Sequence, residues 1–552
     1  MLRLKFLVAF FALLVFPAVP AAAQSVEAYQ TTPDLLEALT QIANIKFRSR
    51  HMHGAPTAVI AVDDTEQFQP IDGFGGSLTD AAAWLFAKKL PPDVTGSTFE
   101  MLFGRKDGIA LSFLRQPIGA SDLAVTFYSY DDLCVQTATA CATPAGATDA
   151  GLAHFSLAHD QEYILPLLKQ ALAINPGIRV MLSPWSAPGW MKTSGSMLGL
   201  DPTTKQPSTL RPEFYKAYAN YLVKTIEGYQ AAGVPVYALS MQNEPLYAPP
   251  DYPGMPMTAE PQGAFLAGAL GPALAAAHLT TKVLVYDHNW NHPEYPETVL
   301  SDPRARAYAA GIAWHHYGGN PDAMTKLHDE FPKMGEWETE AGGGTWQKGS
   351  IVPQEAAELV ASMRNWAQSY VLWTLATDQD HGPHVGGCGQ CRGVVTLDIT
   401  NPQNPPRDSR ARLLCARPGE QVRLSRRGAH WLDRAGRDRP EGRGLSQSRW
   451  NDRALHGERG NGQPELPHPL PAQDGGHRPA RGIGGHVYLE AVREIFGYCG
   501  CVAGGGVAGG APGAGAISMW CSGGGMNGGG DRWPRWQVPQ LTFIPTLSIL
   551  LM

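Results

Sequence analysis

Cysteine is scarce in this chain, with 8 in 552 residues. Cys134 and Cys141 flank a short polar loop and read as a local disulfide. Cys388 and Cys391 form a lone C-x-x-C with no second pair at zinc spacing, which argues against a metal there. A large excess of one charge is also lacking: the formal net charge of −6 gives no reason to expect a nucleic-acid partner. Gly73-Phe74-Gly75-Gly76 lacks the third glycine and the spaced acidic residue of a dinucleotide fingerprint, so no nucleotide cofactor is expected. Lysine is absent altogether after Lys348.

What is present points to export and to one large domain. Arg3 and Lys5, the apolar run 6–16 and Ala21-Ala22-Ala23 before Gln24 have the three parts of a secretory signal. Residues 1–23 are therefore expected to be removed, leaving a periplasmic or secreted protein that starts near Gln24. A membrane anchor is the alternative, but the apolar run is short of a bilayer span. Hydrophobic content of 44% is ample for a core. The length allows one barrel of about 250 residues with a smaller partner.

Between residues 70 and 377 strand and helix patterns alternate. Candidate strand ends fall at 71–76, 112–117, 179–184, 236–241, 282–286, 311–316, 334–339 and 369–374. Amphipathic or alanine-rich stretches lie between them, such as 155–174, 211–231, 262–277 and 353–365. Eight strands, each followed by a helix-sized connection, predict an α/β fold, a parallel (β/α)8 TIM barrel. A doubly wound open sheet is the alternative. Residues 24–69 hold too little for a domain of their own.

Two carboxylates stand out at strand ends. Asn243-Glu244-Pro245 closes the fourth strand, and proline restrains the residue before it to extended geometry. The Glu244 carboxyl is thus expected over the barrel mouth, with Asn243 able to donate to a sugar 2-hydroxyl; a helix-capping or surface glutamate is the bland alternative. Glu340 ends the run Glu336-Trp337-Glu338-Thr339-Glu340, just before Gly342-Gly343-Gly344. Strand alternation puts 336, 338 and 340 on one face, so parity does not choose among them. Carboxylates at the C-terminal ends of two barrel strands are what retaining glycoside hydrolysis requires, one as nucleophile and one as acid, then base.

Aromatic residues gather at other strand ends: Trp185 and Trp190 in Ser183–Trp190, then Trp314-His315-His316-Tyr317, then Trp373. Indole faces stack on pyranose rings, so several tryptophans at one barrel end suggest a sugar cleft, although any one of them could be core. His315-His316 has no carboxylate or histidine at ligand spacing in the sequence, so no metal is expected. Arg115 and Asp122, after the second strand, could form a structural ion pair, hold a sugar hydroxyl or orient a catalytic carboxylate.

Taken together these residues resemble glycoside hydrolase family 30, the glucosylceramidase family. The likeness runs over about residues 60–400. It rests on Ile71-Asp72-Gly73-Phe74-Gly75-Gly76-Ser77-Leu78-Thr79-Asp80-Ala81-Ala82, Leu114-Arg115-Gln116-Pro117-Ile118-Gly119 with Ser121-Asp122, and Ser183–Trp190 with Met191-Lys192-Thr193. Gln242-Asn243-Glu244-Pro245, Trp314-His315-His316-Tyr317, Thr339-Glu340 and Trp373-Thr374-Leu375-Ala376 complete it.

The resemblance implies a barrel joined to a β-sandwich, the latter built from residues 24–69 and from 378–400 onward. It implies Glu244 as acid/base and Glu340 as nucleophile. It implies a glucose subsite lined by Arg115, Asp122, Trp185, Asn243, Tyr252, His315, Tyr317 and Trp373. The activity implied is a cofactor-free, glucosylceramidase-like retaining β-glycosidase acting on a β-glucoside, glycolipid or glucan. An endo-β-1,6-glucanase or β-xylosidase of the same family is the alternative. The chain departs from the family at His316, where tryptophan is common, at Thr374, where asparagine is common, and at Asp380-His381-Gly382-Pro383, where Gly-Gly-Pro is expected.

Past residue 400 about sixteen arginines fall between Arg407 and Arg481, without helix or strand period, and glycine runs follow at 503–515 and 523–530. An arginine-rich disordered tail is one reading of 401–552. Back-translating Leu413 through Leu432 and reading from the second codon base permits Y-Y-A-L-G-Q-A-S-K-F-V-x-P-G-A-x-R-I-G-S. The family's sandwich carries a segment of that form, so a frame shift between about 400 and 412 is expected. In that case a poorly folded or non-catalytic product is the alternative of a different class. The prediction is a single inserted or deleted base across codons 400–412 relative to homologous genes; an undisturbed frame in the resequenced DNA refutes it.

Overall fold

The computed structural model describes residues 25–34, 36–37, 40–46, 66–106, 108–347, 351–404, 407–408 and 547–551. The expected signal segment, most of the arginine-rich tail and Cys415, Cys499, Cys501 and Cys521 lie outside the described residues. No helix among the described residues is long and apolar enough to cross a membrane.

Two strands precede the barrel, β1 (Ser25–Gln30) and β2 (Thr40–Lys46). The barrel strands are β3 (Gly73–Ser77), β4 (Phe113–Ile118), β5 (Arg179–Pro184), β6 (Val236–Ser240), β7 (Lys282–Asn289), β8 (Ala309–His315), β9 (Gly335–Gly342) and β10 (Ala367–Trp373). Each pairs in parallel with the next, and β10 pairs with β3, closing the ring. That closure excludes the doubly wound open sheet.

The remaining strands are β11 (Ala376–Asp378), β12 (Val395–Leu397), β13 (Arg407–Asp408) and β14 (Leu547–Leu551). They form two three-stranded sheets, β14-β1-β2 and β11-β12-β13. The expected β-sandwich is not seen among the described residues, and 409–546 lie outside them.

Side-chain size sets the barrel's interior. Phe113, Met181, Ala238, Leu284, Ala313, Trp337 and Val371 form an inner cluster, one from each strand β4–β10. On β3 the chain needs glycine: a Cβ at Gly75 would sit 1.5 Å from the Phe113 carbonyl oxygen. Trp337 fills the centre because Gly311 and Gly335 leave room, a Cβ there meeting its ring at 2.5 and 2.4 Å. Its indole N–H donates to Asp72 at 2.8 Å, so a hydrogen-bonded ring closes the floor below the mouth.

Outside the barrel a second, larger core joins strands to helices. The helix Tyr215–Ala231 buries Tyr218, Leu222, Ile226 and Tyr229 at helical spacing on one face. The predicted helices 155–174 and 262–277 exist but are interrupted, at Tyr163 and by a wide turn over Leu266–Leu270. This packed ring holds the loops at the C-terminal ends of the strands against a rigid base, and those loops carry the polar clusters described next.

Candidate active site

Arg115, inward-facing on β4, is fully buried. One terminal nitrogen donates to Glu340, and the other donates to Asn243 Oδ1 at 2.7 Å, Asp287 Oδ2 at 2.8 Å and Ser183 Oγ at 3.2 Å. A guanidinium in the interior requires such compensation. Asp287 supplies much of it. Its carboxylate also accepts from Ser183 Oγ (2.8 Å), Ser240 Oγ (2.5 Å), Thr339 Oγ1 (2.6 Å) and His315 Nε2 (3.1 Å). Burial works against its charge, but Arg115 and His315 outweigh burial and hold Asp287 well below the usual carboxylate range.

Two bulges aim these groups. Tyr286 pairs with Ala313 and His288 with Trp314, so Asp287 is an extra residue in β7. Tyr286 and Asp287 both adopt left-handed backbone, φ 73° and 72°, which turns the Asp287 carboxylate into the mouth. In β9, Trp314 pairs with Glu338 but His315 with Glu340, leaving Thr339 extra.

The second bulge corrects the parity expectation. Glu336 accepts from Trp314 Nε1 and Glu338 from Trp290 Nε1, both tryptophans belonging to the outer core. Burial pushes both carboxyls well above the ordinary range. Strict alternation would send Glu340 outward with them. The bulge turns it inward, where Tyr317 donates to Oε1 at 3.0 Å and Arg115 to Oε2.

Glu244 also departs from expectation. Its φ is +44°, not extended, because its N–H donates to the Asp287 carbonyl at 3.0 Å and tertiary bonding overrides the restraint from Pro245. The carboxylate still reaches the mouth, with Oε1 3.2 Å from His315 Nδ1 and 3.7 Å from His288 Nε2. Burial would raise its pKa, but the charges of His288, His315 and Arg115 and the His315 hydrogen bond hold it below the ordinary glutamate value. His315 is pushed up to about 10: burial opposes its charge, while Glu340, Asp287 and Glu244 together outweigh burial. In the substrate-free site these interactions favour the ionised form of Glu244 and the charged form of His315.

The eight expected lining residues are unequally assembled. Arg115, Asn243, His315 and Tyr317 join the two glutamates directly. Trp185 and Trp373 stack on each other at 4.9 Å, and Arg115 lies 4.8 Å from the Trp185 ring, so this pair forms a wall. Asp122 and Tyr252 meet at the rim under the 385–391 loop, where a Cβ on Gly387 would touch both. Trp190 and Trp314, by contrast, are core. Among the departures from the family, His316 turns aside to pair with Glu358 at 2.7 Å, and Thr374 bonds Thr79 and the Ser77 carbonyl. Cys134–Cys141 and Cys388–Cys391 are both disulfides, and the second packs beside Trp185 and Trp373.

Sequence reasoning missed Asp287 and His288. The fifth candidate strand ends at 286, three residues before β7 does at Asn289. Glu244 in the loop after β6, His315 at the end of β8 and Glu340 in β9 each bring a potential ligand atom within 4.8 Å of the others. Both His315 ring nitrogens are already hydrogen-bonded and Arg115 already neutralises Glu340, so this set is poorly suited to a cation.

A closed (β/α)8 barrel with two carboxylates this close at its C-terminal mouth is the architecture of a glycoside hydrolase. Residues 71–390 match the glycosyl hydrolase family 30 TIM-barrel domain, and the chain belongs to that family. It is 33% identical over 359 residues to endo-1,6-β-D-glucanase BGN16.3 of Trichoderma harzianum, covering 62% of this chain and 69% of that one. It is 33% identical over 395 residues to an endo-1,6-β-D-glucanase of Neurospora crassa, covering 70% and 78%. Against the lysosomal acid glucosylceramidase of Mus musculus the identity is 29% over 347 residues, covering 59% and 63%. The solved structure of the endo-β1,6-glucanase BT3312 superposes with a TM-score of 0.61 at 30% identity, covering 71% of this chain and 83% of that one.

Asp122 generates a pH prediction. Burial, and then the charge of Glu340, raise its carboxyl from 3.8 to about 7 against the N–H groups of Leu123 and Cys388. A raised carboxyl favours the folded chain while protonated, so that contribution is complete below about pH 4 and lost as pH rises through about 7. Melting temperatures measured from pH 4 to 8 should fall less steeply for Asp122→Asn than for the parent; equal slopes would contradict the assignment.

Proposed function

We propose that this glycoside hydrolase is a retaining endo-β-1,6-glucanase in which Glu340 is the nucleophile and Glu244 the acid/base. The carrying observation is that carboxylate oxygens of Glu244 and Glu340 lie within 4.8 Å of each other. That spacing suits direct attack, whereas an inverting pair stands about 6.5–9.5 Å apart to admit a water. Glu340 attacks the anomeric carbon, its oxygens held by Arg115 and Tyr317. Glu244 delivers a proton to the departing glycosidic oxygen, drawing on His315 across 3.2 Å. A glycosyl-enzyme ester forms on Glu340, and water activated by the ionised Glu244 releases the sugar. Trp185, Trp373, Asn243, Asp122 and Tyr252 line the sugar side.

The glucan reading replaces the glucosylceramidase-like expectation on two grounds. The glucanases of Trichoderma harzianum and Neurospora crassa share more identity with this chain, over more of it, than the mouse glucosylceramidase does. A ceramide would also call for an apolar landing surface beside the mouth. Among the described residues the exposed large apolar side chains on mouth loops, Val135 and Leu246, stand on separate loops.

Hydrolysis of β-1,6-glucan should exceed that of β-xyloside and glucosylceramide by at least about tenfold in kcat/KM, a difference worth about 1.4 kcal/mol. Preference for glucosylceramide would refute the substrate assignment alone. Glu340→Ala should abolish turnover while glucan still binds, and Glu244→Gln should slow glucan cleavage by about 10²–10⁴-fold. Normal rates in Glu340→Ala would remove it from the nucleophile role.

A further inference from the structure

A second cluster of ligand-type side chains lies in the loop between β4 and the helix Ala158–Glu162. Asp131, Asp149 and His154 each bring one ligand atom within 4.8 Å of the others. Asp131 is completely buried. Its Oδ2 accepts the Trp190 indole N–H at 3.0 Å, while no N–H or hydroxyl donor reaches Oδ1, and the Asp149 carboxyl lies within hydrogen-bonding reach of Asp131. A buried carboxyl set against a second carboxyl calls for a positive charge between them, either a shared proton or a cation. Asp149 Oδ2 is 2.8 Å from His154 Nδ1 and also accepts the His154 backbone N–H at 2.7 Å. Two ligands about 2.1 Å from a tetrahedral zinc stand about 3.4 Å apart, so the Asp149–His154 pair, now at hydrogen-bond distance, would open by roughly half an ångström to admit the ion.

We propose that Asp131, Asp149 and His154 bind one divalent first-row cation, with zinc(II) preferred. Two carboxylate oxygens and one imidazole nitrogen form a hard-to-borderline donor set of the kind zinc and manganese take, whereas calcium and magnesium favour oxygen alone. The ion would engage Oδ1 of Asp131. It would also replace the Asp149–His154 side-chain hydrogen bond with two metal bonds and keep water in its remaining positions, since His154 faces solvent. Its effect falls on the rim. The loop already bonds the segment after β5 through Asp131–Trp190 and through Thr143 N–H to the Gly195 carbonyl at 2.8 Å. That segment continues from Trp185, so the cation would tie the outer loop to the wall of the sugar cleft.

The test is zinc titration of the full chain after EDTA treatment and desalting, read by calorimetry, metal content and melting temperature. Expected are one high-affinity equivalent and a saturable rise in melting temperature. His154→Ala should weaken binding about tenfold or more, while the metal-free melting temperature falls only by what one largely exposed hydrogen bond contributes. Asp131→Asn should abolish the zinc-dependent rise, and Glu340→Gln should leave zinc affinity unchanged. Absence of saturable binding would overturn the proposal, as would an equivalent that persists at full affinity in both His154→Ala and Asp131→Asn. Loss of the equivalent in Glu340→Gln would also overturn it, by moving the ion to the catalytic glutamates.

Discussion

The mouth of this barrel depends on burying one guanidinium. Arg115 has no access to solvent, and its charge is balanced by Glu340 and Asp287 rather than by water. A buried ion pair adds little stability over an apolar core of the same shape, and removing one partner leaves a stranded charge. Such an arrangement is better understood as positional. Arg115 reaches Glu340 on β9, Asp287 on β7 and Asn243 after β6 at once, so strands on both sides of the mouth share one cation. The hydroxyls of Ser183, Ser240 and Thr339 then saturate Asp287, which fixes where His315 can lie.

Two one-residue bulges make this convergence possible. A parallel barrel strand alternates strictly between the packed interior and the helix layer, which would send Glu340 the way of Glu336 and Glu338. Inserting Thr339 and Asp287 as extra residues reverses the alternation only at the last turn of each strand. The lower barrel can then stay a filled apolar core around Trp337 while the same strands present carboxylates above it. The interior below the mouth and the polar cluster within it are thus decoupled, and substitutions in one need not disturb the other.

These bulges also mark what the sequence could and could not tell. Eight strand ends were legible because each is a short apolar run between turn residues and helical stretches, and all eight carry barrel strands. Glu244 was legible through the residues flanking it. Glu340 could be separated from Glu336 and Glu338 only by resemblance to a family, since period-two alternation treats the three alike. Asp287 was invisible. A strand that ends in Tyr-Asp-His shows no outward sign that two successive left-handed residues extend it past its apparent limit. The left-handed Glu244 was hidden for a similar reason, because the bond that holds it comes from Asp287, on a different strand.

The position of the catalytic proton follows from the same cluster. His315 sits between Glu244 and Asp287, and the charge of Glu340 is the largest influence favouring its protonated form. On the proposed roles, that influence is spent as Glu340 bonds to the anomeric carbon and loses its charge. His315 then holds its proton less firmly at the moment the departing oxygen gains negative charge and Glu244 must supply one. Nucleophilic attack and acid assistance are in this way coupled through space. Once water has cleaved the ester, Glu340 is ionised again and His315 recovers its hold. On those roles the proton is held on His315, one hydrogen bond from Glu244, on a group whose affinity for it falls when the reaction consumes the nearby charge.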